Sequence, residues 1–195
     1  VPVAPLTIES EAVREGRKIQ LCAVRLFADG VEVVRASILK IRAEAVALPA
    51  IVAEQPLDVP GPEAGREEEP LGPNNFVRGV TLRTIRGGFG RLEPGAIWFR
   101  ANRPIVEGAP ISQAMRAALS ADFSNAVSAV LDFSKWTFIN ADLTVTLARQ
   151  PVGDWILLNS DMTLGPDGAG LAVSRLGDVH GYFGRAVQCL VVEPR

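Results

Sequence analysis

Apolar and polar positions alternate through most of this chain, and that alternation is the mark of half-buried β-strands. Leu6-Thr7-Ile8-Glu9-Ser10-Glu11-Ala12-Val13 alternates residue by residue. Arg14-Glu15-Gly16-Arg17 reads as a turn, and Lys18 to Phe27 alternates again, with Ile19, Leu21 and Ala23 set apart from Gln20. Ala28-Asp29-Gly30 is a tight hairpin signal, and Val31 to Ile41 is the third strand. The spacing therefore predicts an antiparallel meander over residues 1–42. No helical pattern is present there to cover it, and such a sheet needs another element against its apolar face.

The pattern breaks over residues 43–75. Five of the 14 prolines lie between Pro56 and Pro73, and Gly65-Arg66-Glu67-Glu68-Glu69-Pro70 is a local charge run. This composition predicts a linker, loop or partly disordered, rather than a buried element.

Residues 76–195 read as a complete α+β unit. Strands are predicted at 77–86 and 96–100, followed by a helix over Pro110–Phe123 with Pro110 in its first turn. Its apolar stripe runs Ile111, Ala114, Met115, Ala118, Leu119. Strands near 136–148, 154–163, 168–177 and 183–193 follow, punctuated by Pro151-Val152-Gly153-Asp154, Gly165-Pro166-Asp167-Gly168 and Gly177-Asp178-Val179-His180-Gly181. The packing expected of this order is an antiparallel sheet wrapped around a single helix. A short internal repeat suggests two copies of the unit. Leu26-Phe27-Ala28-Asp29-Gly30 with Val34-Arg35-Ala36-Ser37-Ile38-Leu39 echoes Leu176-Gly177-Asp178 with Gly184-Arg185-Ala186-Val187-Gln188-Cys189, and Leu6-Thr7 echoes Leu143-Thr144.

Composition narrows the chemistry. The 195 residues carry a formal net charge of -2, so no basic excess points to a nucleic acid or a membrane surface. Two cysteines, Cys22 and Cys189, are too few for a disulfide framework, which makes a reducing cytoplasm the expectation. No run of about 18 apolar residues suggests a spanning helix. The chain opens on Val1 rather than Met and runs straight into strand-like sequence, as a chain beginning partway through a longer protein would. His180, the single histidine, sits in a turn and reads as a surface residue. No His/Cys cluster suggests a metal, and no Gly-x-Ser-x-Gly elbow suggests a serine hydrolase. Arg86-Gly87-Gly88-Phe89-Gly90-Arg91 is glycine-rich but lacks the strand-to-helix setting of a phosphate loop, so it reads as a turn between strands.

Three polar residues stand out as candidates. Continuing the helix stripe from Ile111 through Met115 and Ala118 lands on Asp122, which places a carboxylate on the core-facing side of the last turn. Burial and the negative end of the helix dipole would both raise its pKa toward that of a general base. The competing reading is a solvated carboxylate at a frayed helix end. Gln188 lies in the apolar run Ala186-Val187-Gln188-Cys189-Leu190-Val191-Val192, where its amide needs partners. It could orient a water or a carboxylate, make a structural hydrogen bond, or lie on an exposed face. Its counterpart in the repeat is Ile38, so one site per chain is expected, in the second copy. Asn140 could bind a water or a substrate carbonyl, while Asp142 is better placed to fix a turn or pair with an arginine.

The ordered pieces Glu15-Gly16-Arg17-Lys18-Ile19-Gln20, Ala121-Asp122-Phe123-Ser124-Asn125, Asn140-Ala141-Asp142-Leu143-Thr144-Val145, Gly153-Asp154-Trp155-Ile156, Gly165-Pro166-Asp167-Gly168-Ala169-Gly170-Leu171-Ala172 and Gly184-Arg185-Ala186-Val187-Gln188 resemble the TesB-like acyl-CoA thioesterases. The similarity covers nearly the whole chain outside the linker. It implies an α+β double hotdog, here with the first hotdog lacking its opening strand and helix. It also implies hydrolysis of acyl-CoA thioesters by water, with no metal, no cofactor and no covalent intermediate. In the resemblance an Asp at the end of the hotdog helix, a hydroxyl residue on a strand and a Gln on the last strand hold the attacking water. These fall on Asp122, Asn140 and Gln188, and Asn140 departs from the hydroxyl. The resemblance also implies an oxyanion contact from a backbone amide, for which Glu107-Gly108-Ala109-Pro110 is the candidate region. Arg86 and Arg91 are candidates for meeting CoA phosphates. The alternative function is an acyl-binding or scaffolding hotdog that has lost hydrolysis, and exposed sheet edges point to a homo-oligomer.

Overall fold

The computed structural model describes residues 1–49, 56–68 and 76–195. The chain divides into two compact units, Val1–Val52 and Ala53–Arg195.

The first unit is the antiparallel meander expected from the alternation: β1 (Thr7–Arg14), β2 (Ile19–Ala28) and β3 (Val31–Ile41), in the order β1-β2-β3. Among the described residues of this unit there is no helix.

Among its described residues the second unit is an eight-stranded sheet with two α-helices. The strands are β4 (Arg66–Glu67), β5 (Val80–Arg86), β6 (Gly95–Ala101), β7 (Trp136–Asn140), β8 (Thr144–Leu147), β9 (Ile156–Leu164), β10 (Ala169–Asp178) and β11 (Gly181–Pro194). Their order is β4-β5-β6-β9-β10-β11-β7, with β8 also paired to β11, and every pairing is antiparallel. The helices are α1 (Gln113–Ala121) and α2 (Ser124–Val127). Period-two alternation sends Ile97, Phe99, Ile156, Leu158, Leu176 and Ala186 into one cluster with Ala117, Ala121 and Val127 of the helices. The intervening residues Ala96, Trp98 and Leu157 build a second cluster with Tyr182.

The repeat is real in register, and stronger than its short sequence match. In β1–β2–β3 and β9–β10–β11 the strands share most of their pairing: Ser10 faces Val24 as Ser160 faces Ser174, and Arg25 faces Arg35 as Arg175 faces Arg185, whereas the shift at Ala12/Arg14 of β1 has no counterpart in β9. Even the bulge recurs, at Leu26/Phe27 and Leu176/Gly177. This register makes Ile38 the counterpart of Gln188. It also corrects one detail, since Leu6 and Thr7 match the start of β9 rather than Leu143-Thr144.

Three further expectations change. The helix begins at Gln113 rather than Pro110, because the Ser112 hydroxyl accepts the Met115 N–H at 3.1 Å and caps it. Its buried residues are Ala117, Ser120 and Ala121, whereas Ala114 and Ala118 are exposed. Small side chains make the close approach to the sheet, and of the predicted stripe Leu119 packs against the core cluster. Gly95 of β6 has no room for a Cβ, which would collide with the carbonyl oxygen of Val127. The single strand read over 136–148 is two strands. Asp142 breaks them apart by turning its carboxylate to the Cys189 N–H at 2.7 Å.

The Pro-rich stretch is not a solvated connector where it is described. Leu57 and Val59 pack on the second cluster, and the Trp98 indole donates to the Pro60 carbonyl at 3.0 Å. Asp58 accepts hydrogen bonds from Tyr182, Asn159 and Arg175. These anchors lie on strands far along the chain, which is why composition alone reads the segment as free. Residues 50–55 and 69–75 of the predicted linker lie outside the described residues.

Candidate functional site

The three singled-out residues converge on the junction between α1 and α2. Helix α1 ends at Ala121, leaving its last carbonyls without helical partners. Asp122 caps this end, with its N–H still donating to the Ala118 carbonyl at 3.3 Å. Gln188 comes up beneath it from β11 and is fully buried. Its Nε2 donates to the backbone carbonyl of Asp122 at 3.2 Å, and its Oε1 accepts the Asn125 N–H at 2.9 Å. The buried amide is thus satisfied at both ends by main chain, as a polar group in an apolar strand must be. Asn125 in turn donates to the Phe138 carbonyl at 3.4 Å, tying the junction to β7.

Asn140 ends β7 opposite Leu190, and its side-chain amide donates to the Asp122 carboxylate. Desolvation pushes the Asp122 carboxyl above the usual aspartate value, and the Asn140 hydrogen bond offsets this only in part. Asp122 is nonetheless an exposed residue, on the same helix face as Ala118. Water therefore reaches it, and the carboxylate is half-enclosed rather than buried. Its position differs from the core-facing one expected, although its pKa moves in the expected direction.

The remaining expectations sort as follows. Asp142 fixes a turn, as the Cys189 N–H contact shows, and its carboxylate also pushes the Cys189 thiol pKa up. His180 is exposed, and its N–H donates to Asp178 at 2.8 Å. Arg86 is engaged with Asn159 Oδ1 at 2.9 Å, in the cluster around Asp58. Gly87, Gly88 and Gly90 carry positive φ, the tight β5–β6 turn expected of the glycine-rich stretch. In the region read for an oxyanion donor, the Ala109 N–H donates to the Val106 carbonyl at 3.2 Å, and Pro110 has no N–H. Among the described residues no group of three or more His, Cys, Asp or Glu could hold a metal ion, and no helix is long and apolar enough to cross a membrane.

Two features escaped sequence reasoning. Phe123, next to Asp122, lies among Phe76, Phe89 and Phe99, with ring centroids at 5.9, 6.3 and 5.0 Å. Below the junction, Ser160, Ser174 and Ser124 form a buried hydroxyl row. The only sequence signal for it is a serine at an inward-facing position of each of two apolar strands.

Comparison with known proteins agrees with this architecture. The acyl-CoA thioesterase C-terminal domain family matches residues 53–192. A hot dog fold protein from Alicyclobacillus acidocaldarius superposes with a TM-score of 0.75 at 21% identity, over 98% of this chain and 75% of that one. A TesB protein from Mycobacterium avium subsp. paratuberculosis gives 0.66 at 19%, over 97% and 72%. An acyl-CoA thioesterase II from Mycobacterium marinum gives 0.66 at 13%, over 96% and 73%. No curated protein matches the chain. At these identities the superpositions establish the fold, an α+β double hotdog.

Proposed function

The chain belongs to the acyl-CoA thioesterase C-terminal domain family, and from that membership we propose that it hydrolyses acyl-CoA thioesters to the free acid and CoA, with Asp122 activating the water. The observation that carries the reading is a half-enclosed carboxylate with a raised pKa, hydrogen-bonded to Asn140 and mounted on a turn gripped by Gln188.

In this mechanism the Asp122 carboxylate takes a proton from water as the water oxygen attacks the thioester carbonyl carbon. The carbonyl electron pair moves to oxygen, and collapse of the tetrahedral intermediate breaks the C–S bond. The proton held by Asp122 then passes to the departing CoA thiolate. A raised pKa suits both halves of this duty, since the group must accept a proton and release it near neutrality. Asn140 keeps one carboxylate oxygen engaged and so directs the other toward the water. Gln188 fixes the turn through its two backbone contacts, and its second Nε2 hydrogen is the donor left for the water. A backbone N–H supplies the oxyanion contact.

Cys22 and Cys189 are free thiols, and the reading places the enzyme in the reducing cytoplasm, as a homo-oligomer joined through exposed sheet edges. The second reading, binding of acyl-CoA without hydrolysis, rests on Asn140 standing where a hydroxyl is expected. A panel of acyl-CoAs assayed with a thiol reagent separates the two. Thiol release that disappears in Asp122→Asn supports hydrolysis, while binding without thiol release supports the second reading.

A further inference from the structure

The buried serine row runs in one direction. Ser124 Oγ donates to the Ala121 carbonyl at 2.7 Å, and Ser174 Oγ donates to Ser124 Oγ at 2.8 Å. Each hydroxyl has one hydrogen, so at the 2.5 Å contact between Ser160 and Ser174 the donor must be Ser160. The chain of donors therefore runs from β9 through β10 to the carbonyl of Ala121, the residue just before Asp122. Ser128 Oγ adds a bond to the Ser124 carbonyl at 2.8 Å.

This geometry pins both peptide planes that flank Asp122. The plane between Ala121 and Asp122 is held at its carbonyl oxygen by Ser124, which Ser174 holds in turn. The plane between Asp122 and Phe123 is held at its carbonyl oxygen by Gln188. Fixing both planes fixes the direction in which the Asp122 side chain leaves the backbone. We propose that Ser174, acting through Ser124, is a positioning residue that aims the Asp122 carboxylate.

The first unit provides an internal comparison. Its meander shares most of the register, and it retains Ser10 where the second has Ser160. At the counterparts of Ser174 and Gln188 it carries Val24 and Ile38. The meander thus forms with apolar residues at both places. The hydroxyl and the amide occur together in the second unit, where both reach the α1–α2 junction, Ser174 through Ser124 and Gln188 directly. Ala186, which faces Ser174 across the ladder, and Ala172, two residues along its strand, are fully buried small apolar residues. A buried hydroxyl there is costly unless paired, and this one is paired toward the Asp122 turn.

The inference rests on Asp122 being the working carboxylate, so its test includes readouts that need no turnover. Ser174→Ala, and the equal-volume pair Ser174→Thr and Ser174→Val, are compared with the parent protein. Carbon-13 titration follows the Asp122 carboxyl, hydrogen exchange follows the amides of Phe123 and Asn125, and steady-state kinetics follow acyl-CoA hydrolysis. In the Ala and Val variants the Asp122 titration should shift toward the ordinary aspartate range and the two amides should exchange faster. kcat should fall about tenfold with KM within about twofold, and Thr should restore all three. Folded Ala and Val variants that match the parent in titration and exchange overturn the positioning role. Should the Ser174 variants not fold, Ser124→Ala cuts the same chain from the helix side and is judged by the same two measurements. A parent protein that releases no thiol overturns the proposed hydrolysis, while titration and exchange still decide the role of Ser174.

Discussion

The Gln188 side chain donates to the main-chain oxygen of Asp122 at 3.2 Å, across 66 residues of sequence. The contact joins the last strand of the sheet to the end of its helix. Two consequences follow, one for stability and one for catalysis. Gln188→Leu preserves most of the volume but leaves the Asp122 carbonyl and the Asn125 N–H without their partner. Chemical denaturation should show a loss of about 1–3 kcal/mol. Turnover of the remaining folded protein should fall as well, with KM little changed.

Asp122 should limit stability while serving activity. Its folded pKa lies above the unfolded aspartate value, because desolvation outweighs the Asn140 hydrogen bond. The folded state then binds the proton more tightly than the unfolded chain does. Stability is greatest below the unfolded pKa and declines as pH rises through the folded one. Asp122→Asn removes this penalty. Thermal melts at neutral pH should place its Tm at or above the parent's, and the gap should close below the unfolded aspartate pKa.

Asp178 has the opposite sign. Burial pushes its carboxyl up, but the Arg149 fork, at 2.6 and 2.9 Å, and the N–H groups of Val152 and His180 together hold it below the usual range. Its contribution is therefore present above the unfolded pKa and lost as pH falls through the folded one. Arg149→Met leaves a fully buried carboxylate without its cation. The variant should lose about 3 kcal/mol near neutrality, and its acid-unfolding midpoint, followed by circular dichroism, should move to higher pH.

Gly95→Ala tests the close approach of α2 to β6. The added Cβ meets the Val127 carbonyl oxygen, which is backbone and cannot swing aside. Denaturation should show a loss of about 1–3 kcal/mol. Because Val127 sits on the helix that follows the Asp122 turn, hydrolysis should fall more than it does for an Ala substitution at the exposed Gly90.

Most strands were legible because their alternation is local. The β10–β11 hairpin and its first-copy equivalent could be aligned from a handful of residues, which assigned Ile38 to the place of Gln188. The helix was legible as a helix but not as a face. Hydropathy selects Ala114, Met115 and Ala118, whereas the sheet is approached by Ala117, Ser120, Ala121 and Ser124, two of them polar residues whose burial depends on tertiary partners. The predicted stripe leads to Asp122 through Ala118, and both are exposed, while Leu119 of the same stripe packs on the core. What marks Asp122 in space is contact with Asn140 and Gln188, neither of which is near it in sequence. The segment around Asp58 failed for a similar reason. Proline and charge make it look solvated, and only Trp98, Tyr182 and Arg175, brought together by the sheet, reveal what it packs against.

The most direct test of the account is hydrolysis of a series of acyl-CoAs by the purified parent protein and by Asp122→Asn, followed by thiol release near neutral pH. The account predicts release by the parent, and a fall of about 10²–10⁴-fold in kcat for the variant at unchanged or higher Tm. Equal rates for parent and folded variant would contradict it.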